Sequence, residues 1–171
     1  MEPQHRRLVV VRHAKSEWLP GVPDRARALA PRGESDAPRM GARLRELVGG
    51  ADVAVVSPAR RAQQTWELIS TELGPVADER TDDRIYDEWG AGLLAVVRDL
   101  PGDARTAVLV GHEPGVSDLV LTLADDRERD LRERIDAKFP TCAVAVLSLA
   151  GGWREWHPGL ASLDLFTTPK G

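Results

Sequence analysis

The stretch Leu8-Val9-Val10-Val11-Arg12-His13 decides the fold, because four apolar residues in a row stop abruptly at a cation and an imidazole. A run this short and this rich in β-branched residues reads as a buried strand. The same pattern recurs twice. Ala107-Val108-Leu109-Val110 stops at Gly111-His112, and Asp52-Val53-Ala54-Val55-Val56 stops at Ser57-Pro58, just ahead of Arg60 and Arg61. In open α/β sheets, ligands bind in the crevice outside the carboxyl ends of the strands, so two histidines and several arginines are expected to converge there on one anionic group.

Outward from residues 8–13, apolar runs alternate with segments of helical period. This predicts an α/β fold: a single-domain three-layer α/β/α sandwich over residues 1–171, with a mostly parallel central sheet. Strands are expected over 7–12, 52–56 and 106–110. Helices are expected over 33–48, with Met40, Leu44, Leu47 and Val48 inward; over 59–73, with Trp66, Ile69 and Leu73 inward; over 84–99, with Leu93, Leu94, Val97 and Leu100 inward; and over 115–124. Cys142–Leu149 and Trp153–His157, joined by Ala150-Gly151-Gly152, read as a C-terminal antiparallel hairpin. The charge-dense segment 125–138 reads as a solvated helix, with a partner-docking surface as the alternative.

The 171 residues are the size of one domain, and no linker divides them. A hydrophobic content of 42% and a mean hydropathy of -0.30 suit a soluble globular protein. No apolar stretch approaches the roughly 20 residues that span a bilayer, and the apolar run at 8–11 is too short for a signal peptide, so no membrane is expected and a cytoplasmic location is. The lone Cys142 cannot pair internally and reads as a buried, inert thiol. Without a long basic tract, no nucleic-acid partner is expected. Oligomeric state is not legible.

A phosphoryl group fits the expected crevice. Arginines match its oxygens with planar, permanently charged forks. His13, fixed at a strand end and followed by the small Ala14, is the expected nucleophile, with Arg12 beside it and His112 on an equatorial oxygen. A core histidine held by backbone is the plainer alternative, more so for His112. Gly111 and Pro114-Gly115 suggest a tight turn into a helix whose amino terminus favours anions. Carboxylates at metal-ligand spacing are missing and the arginines would repel a cation, so neither metal nor cofactor is expected.

Val11-Arg12-His13-Ala14, Ser57-Pro58-Ala59-Arg60-Arg61-Ala62-Gln63-Gln64-Thr65 and Val110-Gly111-His112 together resemble, in order, the signature elements of the histidine phosphatase (phosphoglycerate mutase-like) superfamily. The short chain, Arg12-His13-Ala14-Lys15-Ser16, Phe139-Pro140-Thr141 and Thr168-Pro169-Lys170 resemble its small SixA-like phosphohistidine phosphatase branch. The resemblance implies that His13 is transiently phosphorylated, that Arg12, Arg61 and His112 bind the phosphoryl oxygens, and that Ser16 and Lys15 line the pocket. It selects Arg61 over Arg60, because the family's arginine directly precedes Ala-x-Gln-Thr.

The sequence departs from larger relatives at the general acid. Glu113 and Glu88 are the first candidates and Asp82, Asp83 and Asp87 the others, none set in a deciding pattern. A phosphoramidate already protonated on nitrogen leaves without an added proton. That gap, and the absence of long lid-forming insertions, favour phosphohistidine in a protein as the substrate. A small-molecule phosphomonoesterase using Glu113 or Glu88, and a noncatalytic phosphate-binding module, are the competing readings. Trp18 is a candidate pocket wall; Trp66, Trp89, Trp153 and Trp156 are expected in packing roles.

Overall fold

The computed structural model describes residues 4–87 and 91–171. The expected run at residues 8–11 is a strand with no exposed side chain: β1 (His5–Arg12) lies in the middle of a six-stranded sheet. β2 (Val53–Val56), β3 (Asp78–Thr81), β4 (Thr106–Gly111), β5 (Val144–Ala150) and β6 (Ser162–Thr167) complete it in the order β3-β2-β4-β1-β5-β6. β1 to β4 run parallel, and β5 and β6 add an antiparallel pair.

Strand period divides the apolar residues between two cores. Val9, Val11, Ala54, Val56, Val108 and Val110 pack beneath α1 (Pro31–Val48) and α2 (Arg60–Leu73). Leu8, Val10, Val53, Val55, Ala107 and Leu109 face the other way, toward α4 (Ala91–Arg98), α5 (Gly115–Leu123) and α6 (Arg129–Ala137). The result is the expected three-layer α/β/α sandwich.

Three local expectations change. Within the helical span expected over 84–99 lie α3 (Arg84–Asp87) and α4, while 88–90, including Glu88 and Trp89, fall outside the described residues. Leu47 is 44% exposed rather than inward; the buried stripe of α1 runs instead through Gly33, Ala37, Met40, Gly41 and Leu44. Cys142 precedes its strand, at φ 60, and is fully buried. Trp153–Glu155 is a 3-10 turn, not a hairpin arm, because Trp153 and Trp156 repeat at the period of three that stacks their rings 5.2 Å apart.

The true hairpin partner, β6, was obscured by a bulge. Leu163 pairs with Leu147 and Leu165 with Val146, leaving Asp164 as the extra residue that breaks the alternation. β3 carried no apolar signal at all, since its Asp-Glu-Arg-Thr occupies an edge. The charged segment 125–138 contains α6, which buries Ile135 and is pinned by Arg132 donating to the carbonyls of Leu121 and Ala124. Among the described residues no helix is long and apolar enough to cross a membrane.

α1 and α2 approach closely at Gly41, where an added Cβ would stand 2.4 Å from the Ile69 carbonyl oxygen. Gly41→Ala is therefore expected to lower stability by about 1–3 kcal/mol, the usual cost of overpacking. At an exposed helix position the same change stabilises by roughly 1 kcal/mol, so the sign of the shift in the denaturation midpoint decides the matter.

Candidate active site

Neighbouring strands β1 and β4 send the chain to opposite faces of the sheet, β1 into α1 and β4 into α5, which opens a crevice at their carboxyl ends. Arg12 is in register with Gly111, and the His13 amide donates to the Gly111 carbonyl over 3.0 Å. His13 and His112 consequently face each other with ring centroids 5.1 Å apart. Gly111 cannot carry a side chain there, because a Cβ would meet Ile85 at 2.9 Å and Val116 at 3.1 Å.

His13 Nδ1 lies 2.7 Å from the Ala14 carbonyl oxygen. A carbonyl only accepts, so Nδ1 carries the proton and the lone pair sits on Nε2. Burial, reinforced by the neighbouring His112, Arg61 and Arg12, pushes the His13 pKa down to about 3. His112 is lowered to about 4, again chiefly by burial and then by Arg61. Both rings are neutral at physiological pH.

The His112 ring is oriented by Ser57, whose hydroxyl accepts from the Ala59 amide at 3.2 Å and lies 2.7 Å from His112 Nε2. If Ser57 donates to Nε2, as its accepting bond from Ala59 allows, Nδ1 carries the free proton. That Nδ1 is buried with no partner, and so are Nε of Arg12 and Nε of Arg61. Buried donors without acceptors are costly, and those of Arg12 and Arg61, the charged neighbours of His13, suit an anion.

Arg61 projects inward from the first turn of α2 and is 6% exposed, while Arg60 points to solvent. Its Nη1 donates to the Asp24 carbonyl at 2.8 Å and its Nη2 to the Asp24 carboxylate at 3.1 Å. The same carboxylate accepts from Arg27 at 2.8 Å and from the Tyr86 hydroxyl at 2.7 Å. Donation from Tyr86 is the largest cause, with Arg27 and Arg61 adding to it against desolvation, of an Asp24 pKa near 2. Tyr86 in turn presents its ring edge-on to His112, 5.6 Å away.

Asp24, Arg27 and Tyr86 were not legible beforehand. Asp24 and Arg27 lie in and beside a 3-10 turn (Asp24–Ala26) within a Pro/Gly-rich loop, a place where charges usually signal only solvent. Thr65 was legible only as part of a motif. It accepts from the Ala14 amide at 2.9 Å and donates to the Arg61 carbonyl at 2.7 Å, so it fastens α2 to the loop after His13.

The remaining expected residues fall as follows. Ser16 is buried and its hydroxyl accepts from Arg27 at 2.6 Å, which ties it to the Asp24 network. Lys15 is exposed. Both Glu113 oxygens are engaged by Ser117, one by its amide at 2.9 Å and one by its hydroxyl at 2.8 Å, so this carboxylate caps α5. Asp82 pairs with Arg84 and Asp83 with Arg25, while Asp87 is exposed. Trp18 is 76% exposed and stacks on the Arg27 guanidinium at 3.6 Å. Burial raises the Cys142 thiol to about 12, an inert state.

A neutral, oriented imidazole ringed by cationic and neutral donors at a switch point of an α/β sheet defines a phosphate-handling enzyme, and the comparisons with known proteins agree. Residues 8–96 match the histidine phosphatase superfamily (branch 1). An uncharacterized protein of Mycobacterium tuberculosis strain H37Rv is 36% identical, over 94% of this chain and 100% of that protein. A structure reported as a proposed phosphohistidine phosphatase SixA from Nakamurella multipartitia superposes with a TM-score of 0.87 at 29% identity, covering 99% of this chain and 100% of that one. A corresponding SixA structure from Agrobacterium tumefaciens shares the fold, with a TM-score of 0.80 at 24% identity over 96% and 98% of the two chains. The chain belongs to the histidine phosphatase superfamily, in its SixA-like branch, and is a phosphatase of that group.

The lowered histidines make a stability prediction. Folding holds both rings neutral, so the unfolded chain, with histidines near 6.5, binds protons first; stability fully present above about pH 6.5 is lost as pH falls toward 4 and 3. Wild type is expected to lose more unfolding free energy between pH 7 and pH 5 than the His13→Asn/His112→Asn double variant. Equal losses in urea titrations at the two pH values would contradict the buried, neutral assignment.

Proposed function

We propose that this protein removes the phosphoryl group from phosphohistidine in a protein, by way of a phosphohistidine on its own His13, in the cytoplasm. The observation that carries the reading is the facing pair of buried imidazoles, 5.1 Å apart, with the His13 lone pair on Nε2 and with the charged neighbours Arg12 and Arg61 each keeping a buried Nε without a partner. An in-line phosphoryl transfer needs little else than such positioning and charge stabilisation.

In the first step the Nε2 lone pair of His13 forms a bond to phosphorus, and the bond from phosphorus to the substrate nitrogen breaks with its electron pair leaving on that nitrogen. Arg12, Arg61 and His112 hold the three nonbridging oxygens. In the second step water attacks the phosphohistidine, His13 leaves neutral, and the water proton departs with phosphate. The low pKa of His13 suits both steps, since the ring is an available nucleophile throughout the physiological range and is not trapped by a proton. The occupation of both Glu113 oxygens supports a leaving group that brings its own proton.

Asp24 serves as the positioning residue. By taking the Nη edge of Arg61 it turns the Nε edge toward the phosphoryl group, and through Arg27 and Tyr86 it ties the loop to the site. Ser16 supports this arrangement through Arg27.

The test is hydrolysis of a phosphohistidine peptide beside p-nitrophenyl phosphate. His13→Ala is expected to abolish both activities and the acid-labile phosphoenzyme, and wild type to favour the peptide; turnover of small esters alone would overturn the substrate assignment. Asp24→Asn is expected to lower kcat/KM on both substrates by up to about 100-fold, the scale of misplacing a catalytic group. An unchanged kcat/KM would remove Asp24 from the machinery.

A further inference from the structure

Beside the active-site crevice lies a second cleft of about 250 Å³, lined by Arg32, Asp36, Lys138, Pro140, Thr141, Thr168, Pro169 and Lys170. Three of these side chains are cationic and one is anionic, in a chain whose net charge is -4. Asp36, with its side chain 15% exposed, lies 3.6 Å from Arg32, which offsets its charge. Arg32 keeps 61% of its side chain exposed and also donates to the Thr141 hydroxyl at 3.2 Å, which stiffens the cleft across its width.

The distribution of lysines is the second observation. The chain has only Lys15, Lys138 and Lys170. Every ion pair among the described residues joins an arginine to an aspartate, which leaves all three exposed lysines without a carboxylate partner. Two of them, Lys138 and Lys170, line this cleft. Two of the three lysines thus stand on one rim, beside the largely exposed Arg32.

The cleft is joined to the chemistry by its own wall. Segment 138–142 supplies Lys138, Pro140 and Thr141 to the cleft, and the same segment braces the nucleophile: the Cys142 amide donates to the carbonyls of Arg12 at 3.1 Å and His13 at 3.0 Å, and the Phe139 carbonyl accepts from Arg12 at 2.9 Å. Segment 138–142 is thus at once a wall of the cleft and a brace of the strand end that carries His13.

We propose that this cleft is a specificity site that binds acidic side chains flanking the phosphohistidine of a substrate protein, an inference that rests on the phosphohistidine reading above. Carboxylates meet Lys138, Lys170 and Arg32 at the open rim, and the Thr141 and Thr168 hydroxyls at its walls offer further hydrogen bonds. Because these charges are exposed, their contribution is to encounter and substrate choice rather than to the chemical step, and it weakens with salt.

The test compares wild type with Lys138→Glu/Lys170→Glu on four substrates: phosphohistidine peptides flanked by Asp and Glu, the same peptides flanked by Lys, a small bisphosphate ester and p-nitrophenyl phosphate. The double variant is expected to lose roughly tenfold in kcat/KM on the acid-flanked peptide, through KM, and to gain on the Lys-flanked one, as reversal of rim charges does elsewhere. Its activity on p-nitrophenyl phosphate is expected to stay unchanged, and the wild-type preference for acidic flanks to shrink as salt rises. Equal effects on both peptides, or none, overturn the cleft assignment while leaving the phosphohistidine reading intact. Loss confined to the bisphosphate ester also overturns it, since the cleft would then hold a second phosphate. Turnover of p-nitrophenyl phosphate by wild type with no turnover of either peptide overturns the underlying reading itself.

Discussion

The parallel pairing of β1 with β4 is the interaction on which the rest of this structure depends. With Arg12 opposite Gly111, the residue following each strand is a histidine, and the two rings come to 5.1 Å. A shift of one residue would turn every core side chain of β1 to the other face, so the two hydrophobic layers hold the register that the chemistry requires. Gly111 is the narrow point of this arrangement, packed against Ile85 and Val116 with no room for a methyl group.

Burial then sets the electrostatics. Both imidazoles are kept neutral, so the positive charge of the site resides in the arginines, whose guanidiniums remain charged at any physiological pH. In the function proposed above, this separation gives nucleophilicity to one group and charge stabilisation to others. The carboxylate of Asp24 would be out of place in a phosphate site if it only lowered the positive charge. It is engaged instead by Arg27, Arg61 and Tyr86, and it leaves Nε of Arg61 without a partner. A network of this kind stiffens a long surface loop without adding apolar core.

The two clefts divide the work of recognition by exposure. Donors in the crevice between β1 and β4 are buried and unpartnered, a condition that suits a tightly held oxyanion. The lysines of the neighbouring cleft are exposed, which suits weaker and more variable contacts with a larger substrate. Segment 138–142 connects them: the Cys142 amide donates to the carbonyls of Arg12 and His13, and the Phe139 carbonyl accepts from the Arg12 guanidinium.

Apolar runs with abrupt polar ends made β1, β2 and β4 legible, and with them Arg12, His13 and His112, because a buried strand must be continuously apolar and its end must meet solvent. The choice of Arg61 over Arg60 was legible from the resemblance, and the structure buries the first and exposes the second. What stayed hidden lacked a periodic signature: the polar edge strand β3, the bulged β6, and the Trp153–Trp156 stack that looked like a strand. Asp24, Arg27 and Tyr86 stayed hidden for a different reason, since they lie in separate parts of the chain and only the folded loop brings them onto Arg61. The sequence by itself determined the layered sheet and the strand-end residues, because local hydrophobic pattern dictates both. Only the tertiary structure decided the tautomer of His13, the orientation of Arg61 and the placing of Lys138 and Lys170 on one rim, because these depend on hydrogen bonds and proximities between residues far apart in the chain.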